Sequence, residues 1–413
     1  MTQQLSVDDI KNVLLDMLST TRAVNSDHMA ALGDADWKKL CDIAAQHRLG
    51  PILDRQCQIR GTDWVVPGHV RKRWRDSFRQ SALRSLASQR ALHVVNAIHL
   101  NAAIPFAALK GAWLSLHAYP HPALRPMRDI DILVGIEDAV QSFTLMQAAG
   151  FDRSPDDVQP LSYYLTETRD MPVLYCQHTG IKFEIHFRIT HEAPDDPVGT
   201  LADTKYLLSR RIGFSVGSDE LPYLCATDAL LHLIVHAAYD HRFNNGPLVL
   251  NDIAAMLEHS EVDWQKFWSM AKAGNWTRGC QLLLALTKHY HAQPAIIEHA
   301  GVSLSIPPNI LAESALLMLQ DFKERAVIAF RSEIQVTPPW RKFAPLWKRA
   351  FPPRFILATY AGLPTHSNLA WIGYPRWLAT RSKQMILHRL DSASRADVNR
   401  DAKVGQWLRA KDL

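Results

Sequence analysis

The stretch Leu109–Val134, LKGAWLSLHAYPHPALRPMRDIDILV, decides how this chain is read. It ends in Asp129-Ile130-Asp131, two carboxylates at i and i+2 inside a run of β-formers. Successive strand side chains point to opposite faces, so Asp129 and Asp131 share one face while Ile130 and Ile132 take the other. Two neighbouring acids repel each other and are costly on a strand that also packs into a core. A divalent cation is the usual compensation, and Mg²⁺ favours one or two carboxylates combined with substrate phosphates. The triplet alone fits equally well two exposed acids at a strand mouth.

Two flanking features favour chemistry. Upstream, the apolar run Ile104–Leu109 leads into Lys110-Gly111 and a short helical segment from Ala112 to about His117. A glycine between strand and helix lets the backbone approach a ligand, and a helix start offers N–H groups to an anion. Lys110 adds positive charge there. Downstream, Lys182–Ile189 alternates strictly, with Phe183, Ile185, Phe187 and Ile189 on one face and Lys182, Glu184, His186 and Arg188 on the other. Glu184 is thereby a candidate third carboxylate facing the Asp pair. His186, two residues on, suits contact with metal-bound phosphate or tuning of Glu184, and equally a plain surface role.

With these residues in place the chain resembles the nucleotidyltransferase superfamily that includes DNA polymerase beta. Within it, the chain is similar to a bacterial group of uncharacterised nucleotidyltransferase family proteins. The resemblance rests on Leu109-Lys110-Gly111, on Arg125 and Arg128 ahead of Asp129–Val134, on Phe183-Glu184-Ile185-His186, and on His236, His241 and Asp252-Ile253. His47–Leu53 and Phe351-Pro352-Pro353 extend it over nearly the whole chain. It implies Mg²⁺, or Mn²⁺, held by Asp129, Asp131 and Glu184. It also implies phosphate contacts from Lys110, Gly111, Arg125 and Arg128, and His186, His236 and Asp252 as substrate-pocket candidates. The superfamily's glycine-serine pair is here Lys110-Gly111 followed by Ala112, so no hydroxyl is offered at that point.

Composition sets bounds. With 413 residues, 47% of them hydrophobic, the chain is ample for two or more cores. There is no basic start followed by an apolar stretch and no run of about 18 apolar residues, so a cytoplasmic protein without a transmembrane segment is expected. The five cysteines (Cys41, Cys57, Cys176, Cys225 and Cys280) are scattered and form no C-x-x-C, against a disulfide framework or zinc knuckle. Charge is uneven: Lys323–Leu413 holds 17 Lys/Arg against 6 Asp/Glu, or +11, and the 322 residues before it hold 29 against 35, or −6. Such asymmetry points to a partner for the tail.

The expected class is α+β, a small nucleotidyltransferase-like mixed sheet flanked by N- and C-terminal helical regions. The expected division is a helical region over 1–103, the α/β core over 104–215, a helical domain over 216–334 and a basic Trp/Pro-rich region over 335–413. Helices are expected over Val7–Leu18, Asp36–Arg48 and about Val70–Leu100, the last with Trp74, Phe78, Ala82 and Leu86 along one face. A helix over Glu137–Ala149 and a hairpin over Pro172–Ile189, turning at Gln177–Gly180, complete the core. His232 and His236 have an i, i+4 spacing, but without the glutamate of H-E-x-x-H a satisfied core histidine is the more economical reading. Trp340, Trp347, Trp371 and Trp377 lie among Arg341, Lys342, Lys348, Arg349, Arg354, Arg376 and Arg381. That pattern suits nucleic acid, a membrane surface, or a lobe packing its own tryptophans. The expected reaction is transfer of a nucleotidyl group from an NTP donor to an unidentified small-molecule, peptide or macromolecular acceptor. The alternatives are a non-catalytic nucleotide-binding pseudoenzyme and a nucleic-acid-binding protein acting through its basic C-terminus.

Overall fold

The structure is a computed structural model and describes residues 5–20, 29–61, 64–155, 157, 159–190, 199–291, 305–337, 351–363, 367–387 and 392–410. Two compact units divide the chain, Met1–Leu311 and Ala312–Leu413.

The first unit opens with α1 (Val7–Leu18), where Ser6 and Asp9 cap the helix reciprocally and Ile10, Val13, Leu14 and Met17 are buried. Next come α2 (Asp34–Gln46) and α3 (Gly50–Arg60), then the 34-residue α4 (Gly68–Asn101). The buried stripe of α4 includes Trp74, Ser81, Ser85, Ser88, Leu92, Val95 and His99, so the middle of the helix meets the core through serines. The expected stripe needs correcting at its end: Leu86 is 64% exposed and faces solvent. The serines win the inner face because α4 lies close against backbone. Ser81 donates to the Ala123 carbonyl at 2.7 Å, and Arg84 donates to those of Met127 and Arg128 at 3.0 and 2.7 Å.

The sheet has seven strands: β1 (Phe106–Ala108), β2 (Asp129–Val134), β3 (Phe151–Arg153), β4 (Leu174–Cys176), β5 (Lys182–His186), β6 (Ile212–Val216) and β7 (Asp219–Tyr223). Their order is β3-β4-β5-β2-β1-β7-β6. β2 runs parallel to β5 and antiparallel to β1, and β1 runs parallel to β7, so the sheet is mixed. The β4–β5 hairpin turns where expected, with Gly180 at φ +64. Hairpin β6–β7, which the sequence reading left out, turns at Gly217-Ser218, with Gly217 at φ +65, and carries the sheet on to Tyr223. Ile130, Ile132, Phe183 and Ile185 are at most 2% exposed. Each such burial contributes roughly 1.5–3 kcal/mol, which anchors the register of the central pair.

Helices then close over the sheet: α5 (Gly111–Trp113), α6 (Ala139–Ala148), α7 (Leu161–Glu167), α8 (Thr204–Ser209) and α9 (Ala226–Val235). They are followed by α10 (Leu248–His259), α11 (Trp264–Ala273) and α12 (Thr277–Tyr290). Two five-residue π turns interrupt this layer, Leu114–Ala118 after α5 and His236–Asp240 after α9. No helix among the described residues is long and apolar enough to cross a membrane.

In the second unit, α14 (Arg325–Val336) packs on α17 (Ser392–Arg409), with Ser332 bonded to the buried Asp401. The helix α13 (Pro308–Leu317) straddles the division between the units, and α15 (Arg354–Ala361) and α16 (Tyr374–Leu387) complete the described helices of the second. Leu357, Ala358, Ala370 and Trp377 form a small core, while Trp371 is 66% exposed. Trp340, Trp347, Arg341, Lys342, Lys348 and Arg349 lie outside the described residues.

The end of α1 is tied to that of α12. The Thr20 N–H and the Ser19 hydroxyl both donate to the Tyr290 carbonyl, and Thr20 Oγ1 lies 3.3 Å from His291 Nδ1. Burial pulls the His291 imidazole down to about 4, so the unfolded chain protonates it first. Its folded pKa lies below the unfolded value of about 6.5, so stability falls as pH drops from 6.5 to 4, by up to about 3 kcal/mol. Urea unfolding between pH 7 and pH 4 should show this slope, and His291→Asn should flatten it.

Candidate active site

The site forms where β1 ends and where β2 and β5 begin. Parallel pairing sets Asp129 opposite Lys182, Asp131 opposite Glu184, and Leu133 opposite His186. Paired residues share a face, so the alternation of both strands delivers three carboxylates, an imidazole and an ammonium to one side. Asp131 Oδ1 lies 2.9 Å from His186 Nε2, and Glu184 Oε2 lies 3.6 Å from the same nitrogen. Donor atoms of Asp131, Glu184 and His186 all fall within 4.8 Å of one another, a group able to hold a metal ion. Asp129 stands nearer the mouth: its side chain is 31% exposed, against 10% for Asp131, and Lys182 Nζ links it (3.5 Å) to Glu184. Of the expected trio, Asp131 and the half-buried Glu184 come together with His186, while Asp129 lies outside that group and is linked to it through Lys182.

Lys110 reaches the pair from the other side, with Nζ 3.3 Å from Asp131 Oδ2. It does so from a strained backbone, φ +47 at the sharp turn between β1 and α5. Burial alone would raise the Asp131 pKa. The Lys110 charge and the His186 hydrogen bond more than offset it and hold the carboxyl well below the usual range. Glu184 moves the other way. Burial, and then the Asp131 charge, raise its pKa despite Lys182. The two carboxylates are thus pushed apart in proton affinity, as catalytic carboxylate pairs commonly are.

A histidine bank faces Lys110. His232 lies in the last turn of α9, His236 opens the following π turn, and His241 lies just beyond it, with ring centroids 5.9 and 4.3 Å apart in succession. Burial first, and then the Lys110 charge, pull His232 and His236 well below the ordinary histidine value and lower His241 as well. His236 Nδ1 lies 3.3 Å from Asp240, which also accepts from Arg169 at 2.5 Å.

The phosphate-contact candidates occupy distinct places. Arg125 donates from Nε to Asp252 (2.7 Å) and from Nη1 to the Pro126 carbonyl (3.0 Å). Asp252 is 1% exposed and also accepts from the Tyr119 hydroxyl at 2.8 Å, so it pins the β2 approach to α10. Gly111 leaves room for that approach, because a Cβ there would meet Met127 Cγ at 3.0 Å and Arg125 Nη1 at 3.3 Å. The helix it opens is three residues long, and the Ala112 N–H already bonds the Leu109 carbonyl. Arg128 is exposed and donates from Nη2 to the Gln46 carbonyl at 3.3 Å. Sequence reasoning passed over Lys182 and Arg48. Lys182 was findable from its place on the Glu184 face. Arg48, which the surrounding arginines and Asp129 act upon, carries no sequence signal beyond its motif.

A mixed sheet thus presents Asp131, Glu184 and His186 on one face beside the half-buried Lys110. The chain matches, over residues 33–292, the profile of a family described as uncharacterised nucleotidyltransferase, and it belongs to that family. Neither a curated protein nor a solved structure matches it. The matched span includes the whole sheet and every residue of the site, and ends before the second unit.

The Arg125–Asp252 pair is buried, with side chains 16% and 2% exposed. Asp252→Ala leaves the guanidinium without its partner and should cost about 3–5 kcal/mol of stability, read by urea unfolding. A loss below about 1 kcal/mol would show that this pair does not hold the β2 approach in place.

Proposed function

We infer that the protein is a metal-dependent nucleotidyltransferase that moves a nucleotidyl group from an NTP to a hydroxyl or other nucleophile. The observation that carries this reading is the parallel register of β2 and β5, which gathers Asp131, Glu184 and His186 within 4.8 Å of one another. The donors suit the ion: the Asp131 carboxylate fits Mg²⁺, and the His186 imidazole fits Mn²⁺ as well. Lys110 and Lys182 already neutralise these carboxylates, so the pocket is arranged around positive charge. Bound there, the ion supplies charge neutralisation for the triphosphate and a lowered pKa for the acceptor.

Asp131 and His186 would hold that ion, with Glu184 and Asp129 beside it. Lys110 offers its ammonium to the donor's phosphates as charge leaves with pyrophosphate, and Arg128 offers a forked guanidinium at the mouth. The acceptor oxygen forms its bond to the α-phosphorus while the bond to pyrophosphate breaks. Glu184, whose pKa burial has raised, takes the acceptor's proton. Arg125, Asp252 and Gly111 act by position: they fix the Lys110 turn against β2. His236 lines the Lys110 side of the pocket.

Labelled NTPs incubated with Mg²⁺ or Mn²⁺, the protein and cell extract should yield a labelled product and free pyrophosphate. Asp131→Asn should abolish transfer, and Mn²⁺ binding followed by electron paramagnetic resonance should be lost with it. Glu184→Gln should lose transfer while keeping much of its Mn²⁺ affinity; loss of both would make Glu184 a ligand and leave the base unassigned. Lys110→Ala should shrink the NTP-induced rise in melting temperature, since a charge-assisted contact of roughly 1.5–3 kcal/mol is removed. Product formed at wild-type rate by Asp131→Asn would sink the transferase reading.

A further inference from the structure

Arg48 carries two costs at one residue. It follows the end of α2, where the backbone turns left-handed at φ +56. Leu49 N–H bonds the Ala44 carbonyl at 2.8 Å and Arg48 N–H bonds that of Ala45 at 3.1 Å. These are the paired reversed bonds of a helix ending in which the left-handed residue is usually glycine. Glycine adopts this conformation freely, whereas a residue with a Cβ is strained in it. A glycine here would relieve the backbone.

The side chain adds the second cost. Its Nε is buried and has no hydrogen-bond partner. The charges acting on it are mostly of its own sign: Arg128, Arg125 and Arg84, opposed by Asp129. Burial first, and then these arginines, pull its guanidinium down to about 9. The neighbouring donors are largely committed. Arg84 Nε and Nη2 serve the Met127 and Arg128 carbonyls, Arg125 serves Asp252 and the Pro126 carbonyl, and Arg128 Nη2 serves Gln46. A strained arginine with an unspent buried donor, set among cations beside a carboxylate of the site, is arranged for an oxyanion.

We propose that Arg48 and Arg128 form a phosphate-binding site at the Asp129 end of the pocket, with Arg48 its principal donor. Two sources share this chemistry, the polyphosphate of the donor nucleotide and a phosphate on the acceptor. Assigning the phosphate to either substrate rests on the transferase reading; the anion site itself rests on the arginine geometry.

The test is calorimetric titration of the full chain with inorganic pyrophosphate in the presence of EDTA. Wild type and Asp131→Asn bind it. Arg48→Gly melts at a higher temperature than wild type yet binds pyrophosphate about tenfold or more weakly, the loss expected for a charged hydrogen bond. If Arg48→Gly fails to fold, Arg48→Gln, which keeps the stem, is read by the same criterion. Mg²⁺–ATP titration then separates the sources. A parallel loss places the donor's phosphate at Arg48, and unchanged ATP affinity with lost pyrophosphate binding places the acceptor's there. Equal pyrophosphate affinity in wild type and Arg48→Gly, or none in wild type at millimolar concentration, overturns the proposal. Pyrophosphate binding that survives without any detectable transfer would instead count against the transferase reading alone.

Discussion

The structure turns on the buried negative charge of Asp131. A carboxylate taken out of water costs several kcal/mol unless opposite charge and hydrogen bonds meet it in place. Asp131 is 8% exposed and both its oxygens are met, by Lys110 and by His186. Each partner imposes its own demand. Lys110 reaches Asp131 from a turn at φ +47, and His186 must lie on the strand paired to β2. The exposed ion pairs of the helices, such as Lys38–Asp42, contribute little beside this.

Around that centre the protein favours neutral histidines over further charge. His232 and His236 stand near Lys110, and protonating either would set like charges together in a dry pocket. The π turn that carries His236 also directs Asp240 toward Arg169, so the extra residue in the helix re-aims two side chains at once. Such bulges are frequent where a helix must present function.

How far the sequence was legible follows from the range of each interaction. The facing of Asp129, Asp131, Glu184 and His186 was readable because strand alternation is local. Which of them would stand directly opposite was not, because register depends on the packing of Ile130, Ile132, Phe183 and Ile185 across two strands. Arg125 reads from sequence as a free guanidinium, yet its partner Asp252 lies 127 residues away. Hairpin β6–β7 was hidden by Gly213 and Pro222, which weaken the strand signal, although Gly217-Ser218 marks its turn. Leu86 looked like core by spacing, but the small serines of α4 suit the close backbone beneath them better than a leucine does.

The parallel pairing of β2 with β5 also ties the site to chain assembly. Asp131 and His186 are 55 residues apart in sequence, and the connection between them runs through α6, β3, α7 and β4. Parallel neighbours need such a crossover, and closing it costs chain entropy before any contact repays it. The unfolded chain therefore holds these donor groups scattered, with no preorganised place for an ion or a polyphosphate. Whatever binds them binds the assembled sheet, and its binding free energy becomes a bolt across the two strands that this crossover joins.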